Sequence, residues 1–274
     1  MLLKTILLVK IENLEEKPQE TTGQMNIGDF TEDYETKVRV WNFKRLLSMK
    51  YDVVVTNPPY MGSSGMNPSL TKFVKDNYPD SKSDLFAAFI ERSGELTKNF
   101  GVLGMITQHS WMFLSSYEKL RSNLYAFDIV NMAHLGARAF VEIGGEVVQA
   151  TTFVMKKGHT EDYTGCYVRL VDFDDALQKE DAFLSRGNRY YSNSDNFRKI
   201  PGNPISYWAS ETLLNIFTHK KLYEYVNACT GMQTGNNELY VRTWFEINIK
   251  NTTIHGCGGF YENVYSDSSE PFAR

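Results

Sequence analysis

An α/β fold, the distal half of a doubly wound sheet, is predicted by three features of this 274-residue sequence. The β-branched run Tyr51 to Thr56 ends in the rigid loop Asn57-Pro58-Pro59-Tyr60, as a parallel strand does where it delivers polar groups to the carboxyl edge of a sheet. Behind it, strand and helix patterns alternate and close in two consecutive strands. With 42% hydrophobic and 14% aromatic residues, the chain can bury one substantial core and has room for a second small unit.

The elements follow in order. Residues 13–36 are polar and acidic, with Pro18 and Gly23, so 1–36 reads as a lead-in segment. Val38 to Met49 fits a short helix before the Val-rich strand. Met61 to Ser83 is a long loop of Gly, Ser, Asn and Pro with a weak helix over Leu70 to Asn77, and loops of this length are usually functional. Asp84 sits at an N-cap position for the apolar helix Leu85 to Leu96. Gly101 to Thr107 is a buried strand, Ser116 to Tyr125 a helix, and Phe127 to His134 a strand. Gly144-Gly145 turns the chain into the strand Gln149 to Lys156, and these last two strands are expected to form an antiparallel hairpin at one edge of the sheet. Tyr167 to Phe173 is strand-like, Asp175 to Leu184 helical, Ser185 to Ile205 a polar connection, and Leu213 to Val226 helical. Thr230 to Asn237 is loop and Val241 to Ile247 a strand, a small C-terminal α+β extension. The expected organisation is a catalytic domain over 37–160, a connector over 161–227 and a further region over 228–274.

Charge and cysteine usage narrow the function classes. The formal net charge of -4 disfavours broad phosphate neutralisation, so any contact with DNA has to be local or come from other segments. Cys166, Cys229 and Cys257 are odd in number and lack metal-ligand spacing, which argues for a reducing compartment and against a disulfide framework or a metal site. The N-terminal apolar stretch between Lys4 and Lys10 is too short to span a membrane, and a cytoplasmic protein with no membrane partner is expected.

Asn57-Pro58-Pro59-Tyr60 carries the chemistry. The amino group of a heteroaromatic ring, or an amide nitrogen, is a poor nucleophile because its lone pair is delocalised. Two acceptors facing its hydrogens would localise that pair. Asn57 offers a side-chain carbonyl oxygen and Pro58 a backbone carbonyl, while the two prolines stiffen the loop and hold Asn57 extended. Tyr60 can stack on a planar base, worth about 1–3 kcal/mol. The loop reads as a clamp for a planar amine and points to amino methylation without naming the substrate; a plain Pro-Pro turn is the bland alternative.

Tyr51 to Lys157 resembles the catalytic half of adenine-N6 DNA methyltransferases, especially the BREX (phage growth limitation) type. The resemblance rests on Asn57-Pro58-Pro59-Tyr60-Met61-Gly62, on Lys82-Ser83-Asp84-Leu85-Phe86, on Ser110 to Ser116, and on Ala133 to Phe140 continuing to Gly144-Gly145-Glu146-Val147-Val148. Thr230 to Glu246 looks like the opening of that family's target-recognition region. The resemblance implies a Rossmann-like fold that uses S-adenosylmethionine, acts on DNA and works beside other phage-defence proteins. It implies that Asn57 and Pro58 hold the amino group with Pro59 stiffening the loop, and that Tyr60 stacks on a flipped adenine. Phe140 edges that base from the other side, or is an ordinary core phenylalanine. Asp29, in Gly28-Asp29-Phe30, resembles the acidic contact to the cofactor's adenine. Asp84 either shapes the cofactor pocket or simply caps its helix. His109 and His134 read as structural histidines.

One departure from the family pattern is plain: no Gly-rich cofactor loop precedes the Asn-Pro-Pro-Tyr strand, so the sheet is expected to be partial and the chain a truncated fragment, inactive alone. Two other readings stay open: a methyltransferase acting on protein glutamine, whose amide nitrogen poses the same lone-pair problem, and a non-catalytic interaction protein that retains the fold.

Overall fold

The computed structural model of the chain describes residues 8–19, 34–139, 148–220 and 224, and the backbone of 252–255 and 259–262. It divides into two units, Met1–Thr218 and His219–Arg274. In the first, α1 (Tyr34–Ser48) leads into β1 (Tyr51–Thr56), and the loop after β1 contains α2 (Pro68–Asn77). Then come α3 (Leu85–Leu96), β2 (Thr97–Gln108), α4 (Glu118–Leu124), β3 (Phe127–Gly136) and β4 (Ala150–Lys157). β5 (Thr164–Arg169), α5 (Ala176–Ser185), β6 (Arg189–Asn193) and α6 (Glu211–Ile216) complete the unit. In the second unit, β7 (Thr252–His255) pairs antiparallel with β8 (Gly259–Glu262).

Local chemistry sets the helix starts. Asn67 caps α2 by accepting from the Leu70 N–H at 2.8 Å, with Pro68 at the first helical position. Asp84 caps α3 through the Phe86 N–H at 3.2 Å. Residues Leu85 to Ile90 are all buried, so the first half of α3 is apolar all round and sits inside the molecule. Burying each large side chain of that run contributes about 1.5–3 kcal/mol. Its far end is capped by the Lys157 ammonium, which donates to the carbonyls of Gly94 and Thr97 at 2.7 and 2.9 Å.

The six strands order as β1-β2-β4-β3-β5-β6. β1 runs parallel to β2 and β3 parallel to β5, while β4 is antiparallel to both β2 and β3. The chain directions therefore place the carboxyl ends of β1, β2, β3 and β5 on one edge. One expectation is corrected here. The antiparallel pair of β3 and β4 lies inside the sheet and not at its edge, because the stretch read as a connector adds β5 and β6 beyond β3. Gly165 makes that approach possible, since a Cβ at this position would stand 2.2 Å from the Ile129 carbonyl oxygen.

β1 itself ends the sheet. Val54 packs on the core, whereas Val53 and Val55 are 62% and 75% exposed. The helix expected over Leu213 to Val226 is corrected: it begins at Glu211 and ends at Ile216, where Phe217 and Thr218 turn the chain by donating to the Leu214 and Asn215 carbonyls. The strand expected over Val241 to Ile247 lies outside the described residues.

Candidate active site

Asn57 follows the last residue of β1 on the carboxyl edge. It is exposed, and its side-chain amide makes no hydrogen bond among the described residues. Pro58 is buried beneath it, and Pro59 and Tyr60 are half-buried. The Tyr60 ring meets Phe86, from the first turn of α3, edge-on at 6.1 Å. Its phenol oxygen is buried with no hydrogen-bond partner among the described residues, and the loss of solvation pushes its pKa up to about 12.

The exit of the loop is tied down. Neither proline has an N–H, so the first backbone donors after Asn57 are those of Tyr60 and Met61. The Met61 N–H donates to Asp84 Oδ1 at 3.0 Å, and the same oxygen takes the Phe86 N–H. Around this point the backbones form a short antiparallel bridge. The Leu85 N–H donates to the Met61 carbonyl at 3.0 Å, and the Ser63 N–H to the Ser83 carbonyl at 3.0 Å. Asp84 is 8% exposed; burial raises its pKa, and the backbone N–H groups it accepts oppose that rise.

A cleft of about 370 Å³ runs along β1, between it, α1 and α3. Phe43, Leu47, Val54 and Phe89 line it, with the Thr56 end reaching the start of the Asn-Pro-Pro-Tyr loop. No carboxylate lines it among the described residues, and the Arg92 guanidinium at its wall is held by the Val9 and Leu47 carbonyls at 3.0 and 2.8 Å. Phe43 and Phe89 are the site residues that sequence reasoning missed. Phe89 had a signal, lying in the same apolar helix as Phe86; Phe43 had only its helical spacing.

Farther along the same edge, His109 at the end of β2 and His134 in β3 meet through Nδ1 and Nε2 at 2.7 Å. His134 Nδ1 is 3.0 Å from the Tyr207 hydroxyl. Burial lowers the pKa of His109 and, with the neighbouring His109, lowers that of His134 to about 3, so both rings are neutral near pH 7. The end of β3 is fixed by Lys179 of α5, whose ammonium donates to the carbonyls of Leu135 and Ala137. Phe140 and Asp29 lie outside the described residues, so the structure brings together Asn57, Pro58, Pro59, Tyr60 and Asp84 only. No helix among the described residues is long and apolar enough to cross a membrane.

Residues 2–140 match the family described as Eco57I restriction-modification methylase. The chain is 50% identical over 211 residues to the adenine-specific methyltransferase PglX of Lacticaseibacillus casei (strain Zhang), covering 74% of this chain and 18% of that protein. It is 44% identical over 216 residues to the adenine-specific methyltransferase BrxX of Escherichia coli O9:H4 (strain HS), covering 78% of this chain and 18% of that protein. A solved structure of a nuclease-deletion mutant of the Type ISP restriction-modification enzyme LlaGI, in complex with a DNA substrate mimic, superposes with a TM-score of 0.47 at 15% identity, over 68% of this chain and 21% of its own.

Proposed function

Because the chain belongs to the Eco57I restriction-modification methylase family, we propose that it carries the amine clamp of an adenine-N6 DNA methyltransferase acting in phage defence or restriction-modification. The carrying observation is an exposed, unengaged Asn57 amide at the end of β1, on a loop whose two prolines stiffen it and whose exit is fixed by a buried carboxylate. Asn57 Oδ1 and the Pro58 carbonyl accept the two amino hydrogens of an adenine swung out of the duplex. Their pull returns electron density to N6 and makes it nucleophilic. Tyr60 stacks on the base, and the energy of that contact, about 1–3 kcal/mol, offsets part of the cost of unstacking.

S-adenosylmethionine, when bound, supplies an electrophilic methyl group on a positively charged sulfur. The cleft along β1 suits its flat, apolar adenine, with Phe43 and Phe89 as walls. A carboxylate for the cofactor's ribose or adenine has to come from elsewhere, and Asp29 is the residue we assign to it. Phe140 is assigned to the second edge of the target base. We assign the catalytic part to 37–160, a connector to 161–227 and the opening of target recognition to 228–274. The chain spans 18% of the length of both curated relatives, and the activity, the DNA and any phage-defence partners belong to this proposal for the whole protein.

The test is product identity. The whole protein that carries this chain is incubated with methyl-labelled S-adenosylmethionine and bacterial duplex DNA, and the nucleosides are resolved by mass spectrometry. Label in N6-methyladenine supports the reading. Label in N5-methylglutamine of a protein substrate, with none in DNA, would replace it.

A further inference from the structure

We propose that Asp84 is a positioning residue of the amine clamp, holding the Asn-Pro-Pro-Tyr loop and the first turn of α3 in one fixed relation. The inference rests on the methyl-transfer reading above and assigns to a buried carboxylate a task beyond capping a helix.

The loop has few means of holding itself. Pro58 and Pro59 donate no hydrogen bond, and the Asn57 amide has no partner within the described residues. The loop is tied from outside at Met61: its carbonyl takes the Leu85 N–H in the backbone bridge, and its N–H goes to a single side-chain oxygen, Asp84 Oδ1, which also takes the Phe86 N–H. Two segments separated by 23 residues thereby share one acceptor. Phe86 also supports the Tyr60 ring, so the carboxylate that fixes the loop's backbone fixes the surface its aromatic ring rests on. Shifting Asp84 moves the amide acceptor and the stacking ring together.

A helix cap alone does not need this. The cap of α2, Asn67, accepts from Leu70, and its side chain makes no hydrogen bond to another segment among the described residues. Asn67→Ala is therefore the control for a lost cap, and Asp84→Asn the conservative variant, since an amide oxygen at the same place accepts both N–H groups and caps the helix as well.

The experiment compares Asp84→Ala, Asp84→Asn and Asn67→Ala, each in the whole protein that carries this chain, in methyl transfer and in amide exchange. With Asp84→Ala, kcat falls about a hundredfold, the cost of a clamp misplaced by about an ångström. KM for S-adenosylmethionine stays unchanged, and the Met61 amide exchanges faster. Asp84→Asn restores both kcat and slow exchange, and Asn67→Ala lowers the melting temperature without touching either. A rise in cofactor KM at unchanged kcat would overturn the proposal by making Asp84 a cofactor contact. Wild-type kcat in Asp84→Ala, or an Asp84→Asn variant as slow as Asp84→Ala, would also overturn it. If the wild-type protein methylates no adenine, the functional reading fails by itself. Exchange then decides the anchoring: faster at Met61 in Asp84→Ala supports it, and unchanged exchange overturns it.

Discussion

Two places on the carboxyl edge of the sheet treat their polar groups in opposite ways. Beyond β2 and β3, His109, His134 and Tyr207 satisfy one another, and Phe113 and Trp208 pack against them. Beyond β1, among the described residues, the Asn57 amide has no hydrogen-bond partner, and the Tyr60 hydroxyl is buried without one. Buried polar groups are ordinarily paired, so the first arrangement serves folding and the second leaves hydrogen-bonding capacity for a ligand. The histidines look more catalytic on paper; the asparagine is the group with something left to offer.

The comparison can be broken on its packed side first. Trp111 is fully buried, donates to Thr107 Oγ1 at 3.1 Å and meets Phe153 edge-on at 5.2 Å. Trp111→Ala is expected to cost about 3–5 kcal/mol, read as a lower denaturant midpoint. On the open side the largest effect is on binding. Tyr60→Ala is expected to weaken productive binding of DNA by about 10- to 100-fold, whereas Tyr60→Phe keeps the stacking face, removes an unpaired hydroxyl and leaves transfer and stability nearly unchanged. Steady-state kinetics of the two variants separate these outcomes.

A smaller effect appears in pH. The folded pKa of His134, about 3, lies below its ordinary 6.5, so between those values the unfolded chain binds a proton that the folded chain refuses. Its contribution is complete above pH 6.5 and is lost as the pH falls toward 3, with a slope of up to about 1.4 kcal/mol per pH unit. The lowered His109 acts in the same direction. His134→Leu is expected to flatten the fall of melting temperature between pH 6 and pH 4 while transfer persists (a window set by that shift). An unchanged slope would mean that His134 is not buried as a neutral ring.

Much of this organisation was legible in the residues, and the reasons differ by element. β1 announced itself by three consecutive valines before two prolines, and α3 by Asp84 ahead of an apolar run. Tertiary pairing was not legible. Arg189-Tyr190-Tyr191-Ser192-Asn193 carries no apolar alternation, and it is a strand because β5 lies beside it. Two consecutive strands could be read before and after Gly144-Gly145, but not what stands on the far side of β3, which depends on Gly165 clearing the Ile129 carbonyl. In the candidate site, Asn57 to Tyr60 was visible as a motif and Asp84 as a cap. That the cap reaches back to Met61 is a fact of packing, as is the lining of one cleft by both Phe43 and Phe89. The exposure of Val53 and Val55 was equally hidden, because a β-branched run reads the same on an open edge as inside a sheet.

The most direct measurement sets Asn57→Ala beside His109→Ala in the whole protein that carries this chain and follows labelled methyl transfer to DNA adenine, with melting curves confirming that each variant is folded. Loss of one preorganised acceptor should lower kcat by about 10²–10³ in Asn57→Ala, while His109→Ala stays within about threefold of wild type. Full transfer by Asn57→Ala, or its collapse in a folded His109→Ala, would contradict the claim that the unengaged amide at the end of β1 holds the amine.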